Sequence, residues 1–476
     1  MRYTKIAQAR PFEGAPCINL PEIFGASPNR PFLLKVPVTG QRPVAVTVQG
    51  LPEGLRLENG VIRGEAKRMG EYTVLFAAAN ALGCVEKTVK MIIAERAVLR
   101  TPLMGFTSWN AFGSDVTQEK ITGIARRMTE LGITEYGYRY INTDSGWQDS
   151  YGGKYDAIQP NEKFPDMKKM CNDIHALGLK CGIYSTPMLT AWGCPKEFES
   201  IPGCTQGEAD IRYSKDFNGG IGVIRKEKNN ARQWAEWGFD YLKYDWKPTD
   251  PGNAELMRQE LIATGRDFGF CCTVNCLPEY HDYWETCCNS YRNGPDSHGE
   301  WDNLLEAYRG WFHMPCPAKV GSFFDLDMLD TGTCDLDEGT YGFDEDEQLV
   351  SYSLRAFLAS PIQISSTLER AEGFEISMYC NEEVIAINQD ALCAPARPCL
   401  IMEKEGSIVH ILQRRLYNGD EAYMVLNLGG KPERVSVVLE EARPVRDVWA
   451  KEDLGCMKKI DCRTQPHTVR IFRVKK

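Results

Sequence analysis

Trp237-Gly238-Phe239-Asp240-Tyr241-Leu242-Lys243-Tyr244-Asp245 is the stretch on which the fold turns. It follows a helical pattern over residues 229–237, in which Ala231, Trp234 and Ala235 recur at helical spacing. Gly238 is a helix stop, because glycine takes the left-handed turn that ends a helix without a Cβ clash. Residues 241–245 then read as a short strand, and its alternation puts Lys243 and Asp245 on one face. Helix, glycine stop and a short strand with charge at its end form the repeating unit of an α/β architecture. Working outward, seven more segments read as strands, at residues 104–109, 138–144, 180–186, 270–275, 290–294, 321–328 and 361–366. Helical patterns fall between them, as at 118–131 and 166–177. Eight strands alternating with helices over residues 104–366 match the roughly 250 residues of a (β/α)8 TIM barrel.

The flanks have a different texture. Residues 1–98 carry short β-branched runs at 31–38, 44–48, 70–80 and 86–93, punctuated by Gly50-Leu51-Pro52-Glu53-Gly54 and Glu58-Asn59-Gly60. They read as a small β-domain. Residues 393–476 alternate as antiparallel strands at 408–412, 421–428, 435–439, 445–449 and 468–474, and are expected to form a β-sandwich. Residues 99–392 between them hold the barrel. The run Asp344-Glu345-Asp346-Glu347 reads as a solvated helix start.

Composition narrows the function classes. With 55 Lys and Arg against 65 Asp and Glu, the formal net charge is −10, which argues against nucleic acid or an anionic membrane as the main partner. No apolar run reaches the roughly 18 residues of a membrane span. The 18 cysteines show no CxxC spacing, so a zinc site has little support, and His281, His298 and His313 form no metal spacing. No P-loop or strand-linked GxGxxG asks for a nucleotide cofactor. Neither a metal nor a cofactor is therefore expected.

In a barrel enzyme the chemistry sits at the C-terminal ends of the strands. Those ends carry Trp109; Asp144 and Ser145; Tyr184 and Ser185; Lys243 and Asp245; Asn275; Arg292 with Asp296; and Asp325 with Asp327. Several acids, one Lys, one Arg and aromatic rings converging on one mouth suit a pyranose. Charged groups bridge hydroxyls there, and an aromatic face stacks on the C–H side of the ring.

The order and spacing of several segments resemble glycoside hydrolase family 27, the melibiase or α-galactosidase family. They are Met104-Gly105-Phe106-Thr107-Ser108-Trp109-Asn110, Tyr140-Ile141-Asn142-Thr143-Asp144-Ser145-Gly146-Trp147-Gln148, Leu179-Lys180-Cys181-Gly182-Ile183-Tyr184, the opening stretch, Tyr291-Arg292-Asn293, Asp325-Leu326-Asp327-Met328-Leu329 and Ile387-Asn388-Gln389-Asp390. The amino-terminal pattern resembles the immunoglobulin-like domain attached to bacterial glycoside hydrolases. The resemblance implies a retaining exo-glycosidase acting on an oligosaccharide or glycoside, with Asp245 as nucleophile and Asp296 as general acid/base. It further implies that Trp109 forms an apolar platform, that Asp144 and Lys243 bind hydroxyls, and that Arg292 reaches the 2-position. Asp327 is expected near the reacting centre, with Tyr184 and Trp192 as walls. Lys243 should keep Asp245 ionised, and burial of the loop at 294–298 should raise Asp296. The two carboxyls are expected at the roughly 5–5.5 Å separation of retaining enzymes.

Three departures from the family pattern concern the sugar. Ser145 stands where α-galactosidases carry a second consecutive Asp. The segment Thr273-Val274-Asn275-Cys276-Leu277-Pro278 has no acid where the family has Cys-Glu-Trp, the nearest being Glu279, and Trp246-Lys247 replaces the usual Cys after the nucleophile strand. The mechanism is expected to persist on an α-galactoside or on another sugar: a β-L-arabinopyranoside, an α-N-acetylgalactosaminide or an α-glucoside. A transglycosylase and a catalytically impaired carbohydrate-binding barrel remain as alternatives. The missing cysteine and the absence of an export signal lead to the expectation of a cytoplasmic enzyme, and a homo-oligomer is left open.

Overall fold

The computed structural model describes residues 3–192, 201–216, 218–334, 339–340 and 342–476. At its centre lie eight parallel strands: Met104–Thr107, Tyr140–Thr143, Lys180–Ser185, Tyr241–Trp246, Gly269–Val274, Ser290–Tyr291, Ser322–Phe324 and Ile362–Ile364. Neighbours pair in sequence order from the first to the seventh, and the eighth pairs with the first. A short antiparallel strand, Ala318–Lys319, lies beside the seventh. The ring is completed between strands seven and eight by a single parallel bridge, Leu329 to Ile364. Each of the eight expected segments holds a barrel strand. The sixth and seventh are shorter than expected: past Tyr291 the chain pairs with the fifth strand through an antiparallel bridge, Asn275 to Asn293, and past Phe324 the Asp325 side chain accepts the Asp327 amide.

Local chemistry explains the intervening helices. Gln118–Glu130 is capped by Thr117, whose side chain accepts the Lys120 amide, and Met167–Ala176 by Asp166, which accepts the Lys169 amide. Glu227–Trp237 ends at Gly238, with φ at 104°, where a side chain would be strained. Gly182 has a different reason to be glycine. A Cβ there would stand 1.9 Å from Asn142 Oδ1, across the paired second and third strands. Glu345–Phe357 opens with a capping box formed by Asp344 and Glu347. The acidic run is only partly solvated: Asp346 is buried and accepts the amides of Tyr3 and Thr4, tying the amino-terminal segment to this helix.

The amino-terminal region contains a four-stranded sheet (Ile23–Ala26, Gly83–Ile93, Gly70–Asn80, Ala45–Gln49) and a three-stranded sheet (Phe32–Lys35, Val61–Gly64, Leu55–Glu58). Leu34, Ile62, Val74, Phe76 and Met91 are buried in one apolar core there, from alternate positions as pleating requires. The carboxy-terminal region is a six-stranded antiparallel sheet. Its expected strands at 435–439 and 445–449 are parts of one long strand, Glu433–Asp447, whose register shifts after Val438. The shift lets Val435, Val437 and Leu439 fold over Val409, Ile411 and Val425 of strands to which they are not hydrogen-bonded. The opposite face, with Leu412, Met424 and Leu426, joins the barrel core.

No described helix is long and apolar enough to cross a membrane. The cysteines whose side chains are described are free thiols. Cys272 and Cys276 are fully buried in the apolar core, and burial pushes the Cys272 thiol up.

Candidate active site

Register and alternation assemble the site. Lys243 lies opposite Tyr184 of strand three, and Asp245 opposite Thr273 of strand five. The buried Lys243 ammonium donates to Asp144 Oδ2 of strand two at 2.8 Å and lies 5.7 Å from the centre of the Tyr184 ring. Asp144 Oδ1 accepts the Ser145 amide. Burial alone would discharge Lys243, but the carboxylates of Asp144, Asp327 and Asp245 outweigh it and hold the ammonium protonated.

Asp245 accepts a 3.1 Å hydrogen bond from the Tyr184 hydroxyl. Burial pushes its carboxyl up to about 7; Lys243 and Arg292 oppose this, and Asp296 and Asp144 add to it. Asp296 occupies the opposite position. Its side chain is 60% exposed and bonds Arg292 Nη2 at 2.6 Å. Desolvation by the pocket wall is outweighed by that guanidinium, which holds Asp296 below the ordinary carboxylate range. This reverses the expected order of the two acids. Lys243 spends its hydrogen bond on Asp144 rather than on Asp245, and Arg292 lies beside Asp296.

Arg292 is tied into the loop after strand six. It is almost fully buried, with Nε donating to Thr273 Oγ1, Nη1 to the Gly294 and Pro295 carbonyls, and Nη2 to Asp296. It thereby shapes the loop that carries Asp296. Asp327, buried and with φ at +63°, accepts the Ser297 amide at 2.9 Å and lies 3.7 Å from Arg292 Nη1. Asp325 is buried behind it and accepts the Asp327 amide.

The other predicted residues are placed as follows. Trp109 begins a short helix just past strand one and is partly exposed. Ser145 turns its hydroxyl to the Trp192 carbonyl, so the residue in place of a sugar-reading acid fastens a loop. Asn275, Trp192, Lys247 and Asp296 line a cavity of about 600 Å3 that opens beside the acid pair. Glu279 is exposed on a short turn, outside the site. Among the described residues, no cluster of His, Cys, Asp and Glu is arranged to hold a metal.

Sequence reasoning passed over Thr273, Asp330 and Arg355. Arg355 is fully buried in the helix Glu345–Phe357 and donates to the carbonyls of Leu326 and Asp327. Its signal was a guanidinium placed among Leu354, Ala356 and Phe357 in an apolar helix segment.

A carboxylate, an ammonium and a guanidinium at the ends of strands two, four and six, with a second carboxylate facing them, make a charged basin fit for a polyhydroxylated ring. The family model described as alpha galactosidase A matches residues 101–215 and 207–390. The chain belongs to this family. It is 30% identical to alpha-galactosidase A of Cellvibrio japonicus over 348 residues, covering 69% of this chain and 76% of that one. A Bacteroides fragilis structure described as a candidate alpha-galactosidase/melibiase superposes with a TM-score of 0.83 at 27% identity, covering 98% of this chain and 99% of the other. The fold is shared with a β-L-arabinopyranosidase of Geobacillus stearothermophilus, at TM-score 0.67 and 22% identity over 79% of this chain and 97% of that one. The matched segments span the barrel, and every charged residue of the basin lies within them.

Proposed function

We propose that this chain is a retaining exo-glycosidase that removes a terminal α-galactosyl residue by double displacement. The observation that carries the reading is the asymmetric acid pair. Asp245 is half-buried among Tyr184, Lys243 and Arg292, while Asp296 stands at the open edge beside the 600 Å3 cavity. A nucleophile belongs deep in the pocket, where it meets the anomeric carbon. The acid/base belongs at the exit, where it meets the leaving oxygen and later water. In this reading the two carboxyls lie about 5–5.5 Å apart in the sugar complex.

The free site holds its proton on the wrong acid, because Asp245 binds it more tightly than Asp296. Two coupled carboxyls share that proton, and catalysis draws on the form with Asp245 ionised and Asp296 protonated. A sugar bound against Lys243 supplies hydroxyl donors to Asp245 and favours its charge. A leaving group at Asp296 competes with Arg292 for the carboxylate. Both effects move the proton toward Asp296.

The amino-terminal β-domain, immunoglobulin-like in this reading, and the carboxy-terminal sheet support the barrel from outside the site. The test is turnover of nitrophenyl α-galactoside with the anomer of the first-formed galactose read by NMR. Net retention is expected. Asp245→Ala should abolish turnover, and azide should restore it with formation of the β-galactosyl azide. Near-normal activity in that variant refutes the nucleophile. Turnover confined to an arabinopyranoside, glucoside or N-acetylgalactosaminide would move the proposal to that sugar, and hydrolysis of none of them would favour a binding module.

A further inference from the structure

We propose that Asp330 is a positioning residue for the acid/base, holding the loop that carries Asp296 against the rigid wall of the barrel. The inference rests on the reading of Asp296 as the acid/base. Asp296 sits in an exposed loop after a two-residue strand, so its own backbone ladder does not fix it. Something else must hold it to the fraction of an ångström that proton transfer to a leaving oxygen requires.

Asp330 meets that need. It is fully buried and lies outside the acid pair. Oδ2 accepts the Ser297 hydroxyl and the Gly299 amide, the latter at 2.9 Å, so it grips the loop one and three residues beyond Asp296. Oδ1 accepts Asn110 Nδ2 at 2.7 Å, and the same Nδ2 donates to the Ser297 carbonyl at 2.8 Å. The Ser297 backbone and side chain are thus held from two sides by a buried acid and a buried amide.

Asp330 is itself immobile. Leu329, its neighbour, exchanges backbone hydrogen bonds with strand eight through Gln363 and Ser365. Arg355 clamps the preceding carbonyls, and the Thr331 hydroxyl bonds the Tyr379 hydroxyl at 2.7 Å. The chain of support runs from strand eight and the helix Glu345–Phe357, through Asp330, to Ser297 and so to Asp296. Asn110 connects the same point to strand one, since its amide donates to Ser365 Oγ, which in turn donates to the Thr107 carbonyl.

Protonation by the acid matters in proportion to how poor the leaving group is, which separates positioning from general damage. The experiment measures kcat/KM on dinitrophenyl, nitrophenyl and methyl α-galactosides for the wild type, Asp296→Ala, Asp330→Asn and Ser297→Ala. The slope of log(kcat/KM) against leaving-group pKa is the readout. Asp330→Asn replaces an acceptor oxygen with an amino group that repels the Gly299 amide, and Ser297→Ala removes one donor from a solvent-facing loop that the fold can spare. Both variants should steepen the slope in the direction of Asp296→Ala, with losses of about 10- to 100-fold on the methyl galactoside. A steep slope in Asp296→Ala with wild-type slopes in both loop variants overturns the inference while leaving the acid/base reading intact. A wild-type slope in Asp296→Ala overturns the acid/base reading and this inference with it. If Asp330→Asn does not fold, the slope of Ser297→Ala decides in the same terms.

Discussion

Asp245→Asn should stabilise the protein while abolishing its activity, and the gain should depend on pH in a calculable way. Asn has the shape and charge of protonated Asp, so the variant isolates the cost of keeping Asp245 ionised. Burial lifts that carboxyl from 3.8 to about 7. For an acid whose folded value is raised, the folded state binds the proton more tightly than the unfolded chain. Stability is therefore lost as pH rises from the unfolded value to the folded one, and the full loss persists above it. The gap is roughly three pH units, each worth about 1.4 kcal/mol, so wild type carries at most about 4 kcal/mol of strain at pH 8. The advantage of Asp245→Asn should grow from near zero below about pH 4 to roughly 1.5 kcal/mol at pH 5, and level off above pH 7. Urea unfolding of both proteins at pH 5, 6, 7 and 8, followed by tryptophan fluorescence, measures it. A stability difference that is flat with pH, or that favours wild type at pH 8, would refute the assignment of Asp245 as a carboxylate ionised at a cost.

The same raised value sets the pH profile: the active form carries the one shared proton on Asp296, so kcat/KM should fall about tenfold per pH unit above pH 7, where that proton is lost, and a profile that instead falls as pH drops just below 7 would contradict it. Lys243→Met leaves Asp144 as a buried charge without its ammonium and should cost about 3–5 kcal/mol, much of it recovered in Lys243→Met/Asp144→Asn, as a denaturation cycle would show. Gly182→Ala drives a methyl group into Asn142 Oδ1 and should destabilise by about 1–3 kcal/mol, readable as a lowered urea midpoint; an unchanged midpoint would mean that Asn142 swings away freely.

The barrel was legible because its strands are short apolar runs ending in charge, separated by amphipathic helices with visible caps. Tyr241–Trp246 shows this best: Gly238 stops one helix, and alternation puts Lys243 and Asp245 on one face, where Lys243 meets Asp144 and Asp245 meets Tyr184. The ionisation of the site was not legible. Spacing puts Lys243 beside Asp245, but which carboxylate takes the ammonium depends on Asp144, about a hundred residues earlier in the chain. The hold of Arg292 on its own loop was not legible for a similar reason, since the carbonyls of Gly294 and Pro295 that accept from it carry no side-chain signature. Asp330 follows no periodicity. Its partners Asn110 and Ser297 follow strands one and six, so only closure of the barrel brings them together.

That closure has a mechanical side. A barrel resists widening because its backbone ladder is continuous around the circumference, yet among the described residues strands seven and eight are joined by one parallel bridge, Leu329 to Ile364. The backbone ladder is thin at that seam. The seam lies next to Asp327 and Asp330, while Lys243 and Asp245 stand on strand four, whose six residues are fully paired with strand five. The two sides of the mouth are stiffened by different means, the nucleophile's by its backbone ladder and the acid/base's by the side chains of Arg355, Asp330 and Asn110. Amide exchange should register this as faster opening at Leu329 than anywhere in Tyr241–Trp246.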